Sequence, residues 1–547
     1  MSYLVIRNGE VYDPANGIDG DVRDIWIRDG QVVAPPSDPQ VRPGRVIDAT
    51  GMIVMPAGVD IHAHICGPKV NVARKMRPEE KRHAVVPRTG HTRSGTLGSV
   101  PSTFATGYKY AGLGYATVFD AAIPPLSARH AHEELQDTPV VDKGFFVLMG
   151  NNHYVFECIQ RGDQERLRDF VAWLLHAAKG FAVKAVNPGG VEEWKLGGEG
   201  ITDIDSPVDY FRVTPRQIIT ALARTAMELK LPHPLHLHCN NLGIPGNSAT
   251  TLATMQALDG LRAHLTHIQF HSYGGTPEDP GSFRSDAPRL VDYVNTHPNL
   301  TVDVGQVLFG ETTSMTGDSP LGYYLHRVTG RKWFSGDVEM ESGCGIVPIR
   351  YRRKSLIHAV QWACGLEWFL LAEDPWRVVL STDHPNGGSF LAYPQLIKYL
   401  MSESARREAI QQLPAAVRER SVLSDLDREY SLYEIAIITR AAPARILGLK
   451  HKGHLGVGAD ADVAIYSRDD DIERMFSFPR YVIVRGEVVV DDGELRASPV
   501  GRVHYTVRHW SADRVEDIRT WFEDHYTVQF SNYPVQEEYL EGGTVTC

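Results

Sequence analysis

Two histidines one residue apart, His62 and His64, sit in the stretch Asp60-Ile61-His62-Ala63-His64. In an extended strand alternate side chains share a face, so both imidazoles point the same way. Such a pair at the carboxyl end of a barrel strand is a metal-ligand arrangement, and a metal held there polarises a carbonyl and acidifies water. Other segments offer groups that could join it. Phe181–Val186 reads as a strand carrying one lysine, Lys184, before the turn Asn187-Pro188-Gly189-Gly190. An unmodified ammonium cannot ligate a metal, so on residue type alone Lys184 is a strand-end partner for a carboxylate. In Pro234–His238, His236 and His238 share a face. His238 lies at the strand end, and His236 lies one pair deeper, where a core or supporting role fits it better. Residues 264–267 read His-Leu-Thr-His and offer His267, with His271 as the alternative on the same side. The apolar run Val378-Val379-Leu380 leads to Asp383, followed by His384-Pro385. An aspartate after a strand is usually a helix cap; this setting makes Asp383 a candidate ligand and proton acceptor.

These groups need rigid elements to aim them. Residues 1–54 read as short strands between Gly, Asp and Pro turns: Leu4–Arg7, Asp24–Arg28, Gln31–Val33 and Arg45–Asp48. Residues 452–495 are strands again, with a hairpin expected around Gly486 within Arg480–Asp491. Between them strands and helices alternate: strand Thr117–Asp120, helix Ala128–Gln136, strand Gly144–Met149, helix Glu165–His176, strand Gly180–Val186, helix Pro215–Lys230, strand Pro234–His238. Alternation of this kind implies a parallel barrel. Both chain ends then build one small β-sandwich. The expected domains are 1–54 with 452–500, a barrel over 55–451, and a C-terminal extension over 501–547.

Bulk properties narrow the function. A chain of 547 residues has ample core for an elaborated barrel. A net charge of −11 argues against a general nucleic-acid role. No apolar run approaches the roughly 20 residues of a membrane span, and the opening residues read as a strand rather than a secretory signal. The six cysteines are scattered without Cys-x-x-Cys spacing, which points to a reducing cytoplasm and to no disulfide framework, zinc finger or iron–sulfur cluster. Neither Gly-x-Ser-x-Gly nor a phosphate-binding Gly-x-x-x-x-Gly-Lys-Ser/Thr motif occurs.

Three separated segments agree in order and spacing: Leu4–Asp13, Asp60–His64, and Thr439–Leu449 with Lys452–Tyr466. Together they resemble the amidohydrolase superfamily, in its cyclic-amidohydrolase branch, over roughly residues 1–500. The resemblance implies a distorted TIM (β/α)8 barrel plus the small β-sandwich. It also implies two divalent metal ions, with zinc favoured by the nitrogen and oxygen ligands. His62, His64 and Asp383 would hold one ion, and His238 and His267 the other. Lys184, carbamylated by CO2, would bridge them as a carboxylate. Asp383 would shuttle the proton from water to the leaving amine.

Finer phrases depart from dihydroorotases, hydantoinases and ureases. They are Cys66–Arg82, Lys184–Gly190, His238–Gly243, Gln269–Gly275 and Ser381–Phe390. This set resembles the A subunits of formylmethanofuran dehydrogenases and of formyltransferase/hydrolase complexes. The resemblance implies making or cleaving the N-formyl bond between formate and the aminomethyl group of methanofuran, as one subunit of a larger complex. It brings Asn187, Asn240, Gln269 and Tyr273 forward as substrate-binding residues. Residues 69–93 carry a surplus of six positive charges. Arginine and lysine suit carboxylates, so Lys69, Arg74, Lys75 and Arg77 are expected to clamp the coenzyme's acidic tail. The competing readings are hydrolysis of another amide, such as a hydantoin or an N-acyl amino acid, and a non-catalytic scaffold. Residues 501–547 carry 8 aromatics, a load that suggests contact with a partner subunit for part of this tail.

Overall fold

The computed structural model describes residues 2–197, 201, 203–336, 344–540 and 543–547. Eight parallel strands run in chain order around a barrel: Gly58–Ala63, Tyr115–Ile123, Asp142–Leu148, Ala182–Val186, Leu235–His238, Ala263–Leu265, Leu300–Asp303 and Val378–Val379. They are called barrel strands 1 to 8 below. Each hydrogen-bonds to the next, and the ring closes only through a single parallel bridge, Ala63 to His384. There the His64 N–H donates to the His384 carbonyl at 2.7 Å. Helices cover the outside, so the strands are buried on both faces and read as continuous apolar runs such as Phe145-Phe146-Val147-Leu148.

The expected alternation is present. The helix Ala128–Gln136 has the bounds read from the sequence, and the helix expected over Glu165–His176 extends to Gln164–Ala178. Both chain ends contribute to a separate sheet of nine strands, in which Met52–Pro56 pairs antiparallel with Val463–Ser467. Its curled faces enclose a second core that includes Ile6, Val11, Ile27, Val54, Val463 and Ile483. The expected hairpin is Tyr481–Val484 with Glu487–Asp491. Arg485 (φ 47°) and Gly486 (φ 77°) both take left-handed backbone in its two-residue turn, the geometry that suits strand twist.

Two features were not anticipated. Between barrel strands 7 and 8, Gly310–Thr316, Phe334–Ser335 and Gly345–Tyr351 form a small antiparallel sheet, with helix Ser319–Thr329 beside it. This insert lies over the mouth of the barrel: the Met315 N–H donates to the Asn386 side chain at 2.7 Å. The sequence reading sets part of the tail against a partner subunit; most of it packs back on the barrel. Val503–Tyr505 joins the barrel sheet beside strand 3. Trp521, Phe522, Tyr526, Phe530 and Tyr533 are all buried, and Phe530 and Tyr533 stack on Trp173 at 5.6 and 6.1 Å between ring centroids. The aromatic load of the tail packs on its own barrel, so most of it is not free for a partner. Among the described residues no helix is long and apolar enough to cross a membrane.

Candidate metal centre

The carboxyl ends of the barrel strands bring the candidate ligands into one buried chamber. His62 and His64 project from strand 1, and their Nε2 atoms reach the same oxygen of Asp383, at 3.0 and 3.1 Å. Asp383 adopts left-handed backbone (φ 50°). The Ser381 hydroxyl accepts from its N–H at 2.8 Å, and the Asn386 amide donates to its Oδ1 at 2.9 Å. Gly305 lets this residue and His267 converge, because a Cβ there would stand 2.3 Å from the His267 Cβ.

His238 ends strand 5, with the His267 ring 4.6 Å and the His271 ring 5.2 Å from its own. Three sets of possible ligand atoms each lie within 4.8 Å of one another: His238, His267 and His271; His62, His267 and Asp383; and His62, His236 and Asp303. His267 belongs to the first two, while His271 belongs to one. Lys184, on strand 4, is fully enclosed and donates to the Thr266 hydroxyl at 3.2 Å. Burial pushes its ammonium down to about 7, against the opposing pull of Asp303 and Asp383. Burial also works to raise the Asp383 carboxyl, but His62 and His64 hold it well below the usual carboxylate range.

The donor set of the chamber fits a divalent cation. His267 Nδ1, both nitrogens of His271 and Asp383 Oδ2 are buried without a hydrogen-bond partner, while His62 Nε2, His64 Nδ1 and His238 Nε2 face the carboxylates of Asp383, Asp120 and Asp318 at 3.0, 3.7 and 3.2 Å. Each orphaned polar atom costs about 1–3 kcal/mol when nothing satisfies it. Imidazole nitrogens and a carboxylate oxygen converging in one chamber, each neutral imidazole able to offer one nitrogen lone pair, fit a divalent metal site.

Sequence reasoning missed the acids that aim these ligands. Asp303, at the end of strand 7, faces His62 Nδ1 at 3.0 Å and His264 Nε2 at 3.2 Å, and accepts from the His267 N–H at 2.9 Å. Burial would raise its carboxyl, yet His62 and His264 hold it far below its ordinary value. Asp318, from the insert, lies 3.2 Å from His238 Nε2 and accepts from Asn187 at 3.2 Å. Asp60 accepts from the hydroxyls of Tyr110 and Tyr393 at 2.8 and 2.5 Å and from the His62 N–H at 3.0 Å.

The expected substrate-binding residues divide. Asn187 and Asn240 meet in the chamber wall, where Asn240 donates to Asn187 at 2.8 Å. Gln269 and Tyr273 are buried against each other, the tyrosine hydroxyl donating to the glutamine at 3.0 Å. The basic stretch is not a free clamp. Lys69 is buried on Asp120 at 2.7 Å. Arg74 pairs with Glu134 at 3.5 Å, and Arg77 pairs with Glu80 at 2.6 Å and Glu311 at 3.1 Å. Lys75 alone of the four is exposed. None of the four lines the cavity that ends on Asp383. That cavity, about 630 Å³, runs between barrel and insert, with Phe270, Tyr324, Leu325 and Tyr351 in its walls and Arg331, Arg350 and Arg352 along it.

Comparison with known proteins agrees with this architecture. The profile of the amidohydrolase family matches residues 45–490. Protein FwdA of Methanocaldococcus jannaschii is 46% identical, over 100% of this chain and 98% of its own. The A subunit of the formyltransferase/hydrolase complex Fhc of Methylorubrum extorquens is 41% identical, over 99% of this chain and 98% of its own. A chain in the crystal structure of the formyltransferase/hydrolase complex FhcABCD from Methylorubrum extorquens, bound to methylofuran, superposes with a TM-score of 0.93 at 37% identity, covering 100% of both chains.

Proposed function

The chain belongs to the amidohydrolase family, and from that premise we propose that it hydrolyses or forms the N-formyl bond of a formylated methanofuran-type coenzyme, as the A subunit of a multi-subunit complex. The observation that carries this reading is the full-length likeness to a chain of the methylofuran-bound complex. The chamber supports it, since it supplies the ligands and the proton carrier that amide hydrolysis needs.

His62, His64 and Asp383 would hold one ion, His238 and His267 the other. His267 is preferred to His271 because it belongs to two of the ligand sets and His271 to one. Lys184, once modified, would be the shared ligand: with its ammonium pushed down to about 7 it is substantially neutral at physiological pH. Its Nζ lone pair can then add to CO2, releasing a proton and leaving a carbamate. Two divalent ions, zinc on chemical grounds, polarise the formyl carbonyl and acidify water when bound. Asp383 moves the proton. Its Oδ2 has no other partner, so it can take a proton from the attacking water and pass it to the departing aminomethyl nitrogen. The formamide and water become formate and the ammonium form of the coenzyme, and the reverse path forms the amide.

The cavity walls suit the aromatic part of such a coenzyme. Arg331 and Arg352, with Arg350 paired to Glu311 at 3.3 Å, line this cavity and are placed to meet an acidic tail. The test is to present the purified complex with the formylated coenzyme and with a hydantoin side by side. Formate release from the first alone is the expected result, and ring opening of the hydantoin alone would overturn the reading.

A further inference from the structure

Beneath the chamber three histidine rings stand in line. His62 Nδ1 lies 3.1 Å from His236 Nε2, His236 Nδ1 lies 2.9 Å from His233 Nε2, and His233 Nδ1 lies 3.1 Å from the Ile446 carbonyl oxygen. All three rings are fully buried. They are wedged by aromatic neighbours: Phe146 stacks on His233 at 5.0 Å and His264 on His236 at 5.0 Å. The metal chemistry proposed above uses His62 but neither of the other two.

The order of protons along this line follows from its far end. A carbonyl oxygen can only accept, so His233 must carry its proton on Nδ1. Its Nε2 is then bare and must receive a proton from His236 Nδ1. His236 Nε2 is in turn bare and must receive one from His62 Nδ1. With the His62 ring neutral, as a metal ligand must be, each contact is satisfied by one proton, the one on His62 Nδ1 being shared between His236 and Asp303. The opposite order would leave the Ile446 carbonyl without a donor and put a proton on His62 Nε2, the atom that faces Asp383 at 3.0 Å. Asp303 accepts from the same side of His62, at 3.0 Å, and so pulls in the same direction.

We propose that His233 and His236 are positioning residues: a one-way hydrogen-bond wire, anchored on the Ile446 carbonyl, that commits His62 to carrying its proton on Nδ1 and presents Nε2 as a bare metal ligand. The wire reaches the metal only through His62, and the proposal rests on the reading of His62 as a ligand. Outer partners of metal-bound histidines fix tautomer and ring orientation, and losing one typically weakens metal binding 10- to 100-fold.

The experiment measures zinc release to a chromophoric chelator, together with zinc stoichiometry and thermal unfolding, for the full chain in its complex. The variants are His62→Ala, His236→Leu, His236→Gln and His233→Leu. Glutamine offers an oxygen near the place of the lost Nε2, so it restores the acceptor for His62 without an imidazole. The wire predicts that His236→Leu weakens one of two zinc ions by about 10- to 100-fold and leaves the other unchanged. His236→Gln should recover to within a few-fold of the parent, and His233→Leu should fall between them. A folded His236→Leu that holds zinc as tightly as the parent would overturn the wire, showing that Asp303 suffices. A glutamine variant as weak in zinc as the leucine one, at an equal melting temperature, would overturn it as well. If His236→Leu fails to fold, His233→Leu decides: parent-like zinc binding there counts against the wire and a loss of one ion supports it. Two zinc ions retained in His62→Ala would instead bring down the ligand assignment beneath the proposal.

Discussion

Two buried clusters of charge occupy opposite ends of the barrel, and they are built on opposite principles. At the amino end of strand 3, Asp142 accepts from Lys452 at 2.7 Å, from Arg485, and from the Arg502 side chain at 2.9 Å and its backbone N–H at 2.7 Å. Lys452 also donates to Asp462 at 2.5 Å and pairs with Asp460 at 3.1 Å. Three acids and three bases thus tie the barrel, the terminal sheet and the C-terminal tail into one neutral knot in which each carboxylate has a cationic or backbone donor. At the carboxyl end the ligand chamber leaves ring nitrogens of His267 and His271 and one oxygen of Asp383 without a partner. Paired charges hold the chain to itself, whereas converging atoms without partners are arranged for something the chain does not supply. Burial alone does not mark a functional site; several ligand-type atoms converging on one space do.

The sharpest separation of the two regions is by rate. Asp383→Asn keeps the size of a ligand and removes the proton carrier, so turnover should fall about 10²–10⁴-fold while the melting temperature stays near that of the parent. A loss of only a few-fold in formate release would remove Asp383 from the proton path.

Breaking the knot should do the reverse. Asp142→Ala leaves Lys452, Arg485 and Arg502 short of a buried partner, a loss of about 3–5 kcal/mol. Denaturant unfolding should register it, while the molecules that remain folded keep their zinc. A variant that lost zinc at unchanged stability would show that the two ends are not separate systems.

Acid divides them again. In the metal-free chain burial lowers the proton affinity of His62, but Asp303 and Asp383 outweigh it and hold the ring up at about 9. Zinc must displace that proton, so its affinity should weaken as pH falls below about 9, by up to tenfold per unit. The knot behaves oppositely. Burial would raise the Asp142 carboxyl, but Lys452, His504 and Arg485 hold it well below the ordinary range. Its contribution to stability is therefore fully present above about pH 4, the unfolded value, and is lost as pH falls further. Titration should show zinc leaving a folded protein first. Simultaneous loss of zinc and fold between pH 8 and 6 would contradict this.

The smallest effect belongs to the cavity arginines. Arg350→Ser with Arg352→Ser should raise KM for the full coenzyme a few-fold, less at high salt, and leave a truncated formamide untouched. Equal losses on both substrates would mean that these side chains shape the insert instead of reading the tail.

The sequence made some of this legible and hid the rest for physical reasons. His62, His64 and Asp383 stand out because a strand's twofold period or an apolar run points directly at them. Asp303 carries no such mark: it matters because strand 7 lies beside strand 6 in the register that sets Thr301 against His264. The basic stretch after His64 is hard to read because most of its counter-charges are remote: Asp120 lies 51 residues from Lys69 and Glu311 lies 234 residues from Arg77, whose nearer partner is Glu80. The aromatic tail is hard to read in the same way, since Trp173, which receives it, lies on a helix more than 300 residues earlier.

Metal counting on the Lys184→Ala variant tests the central claim most directly. The parent, grown with zinc and purified without chelator, should carry two ions per chain by elemental analysis. Lys184→Ala should carry fewer than one, with partial recovery in the presence of a short carboxylic acid that replaces the carbamate. Two zinc ions and undiminished formate release in Lys184→Ala would contradict the assignment of this chamber as a lysine-bridged metal centre.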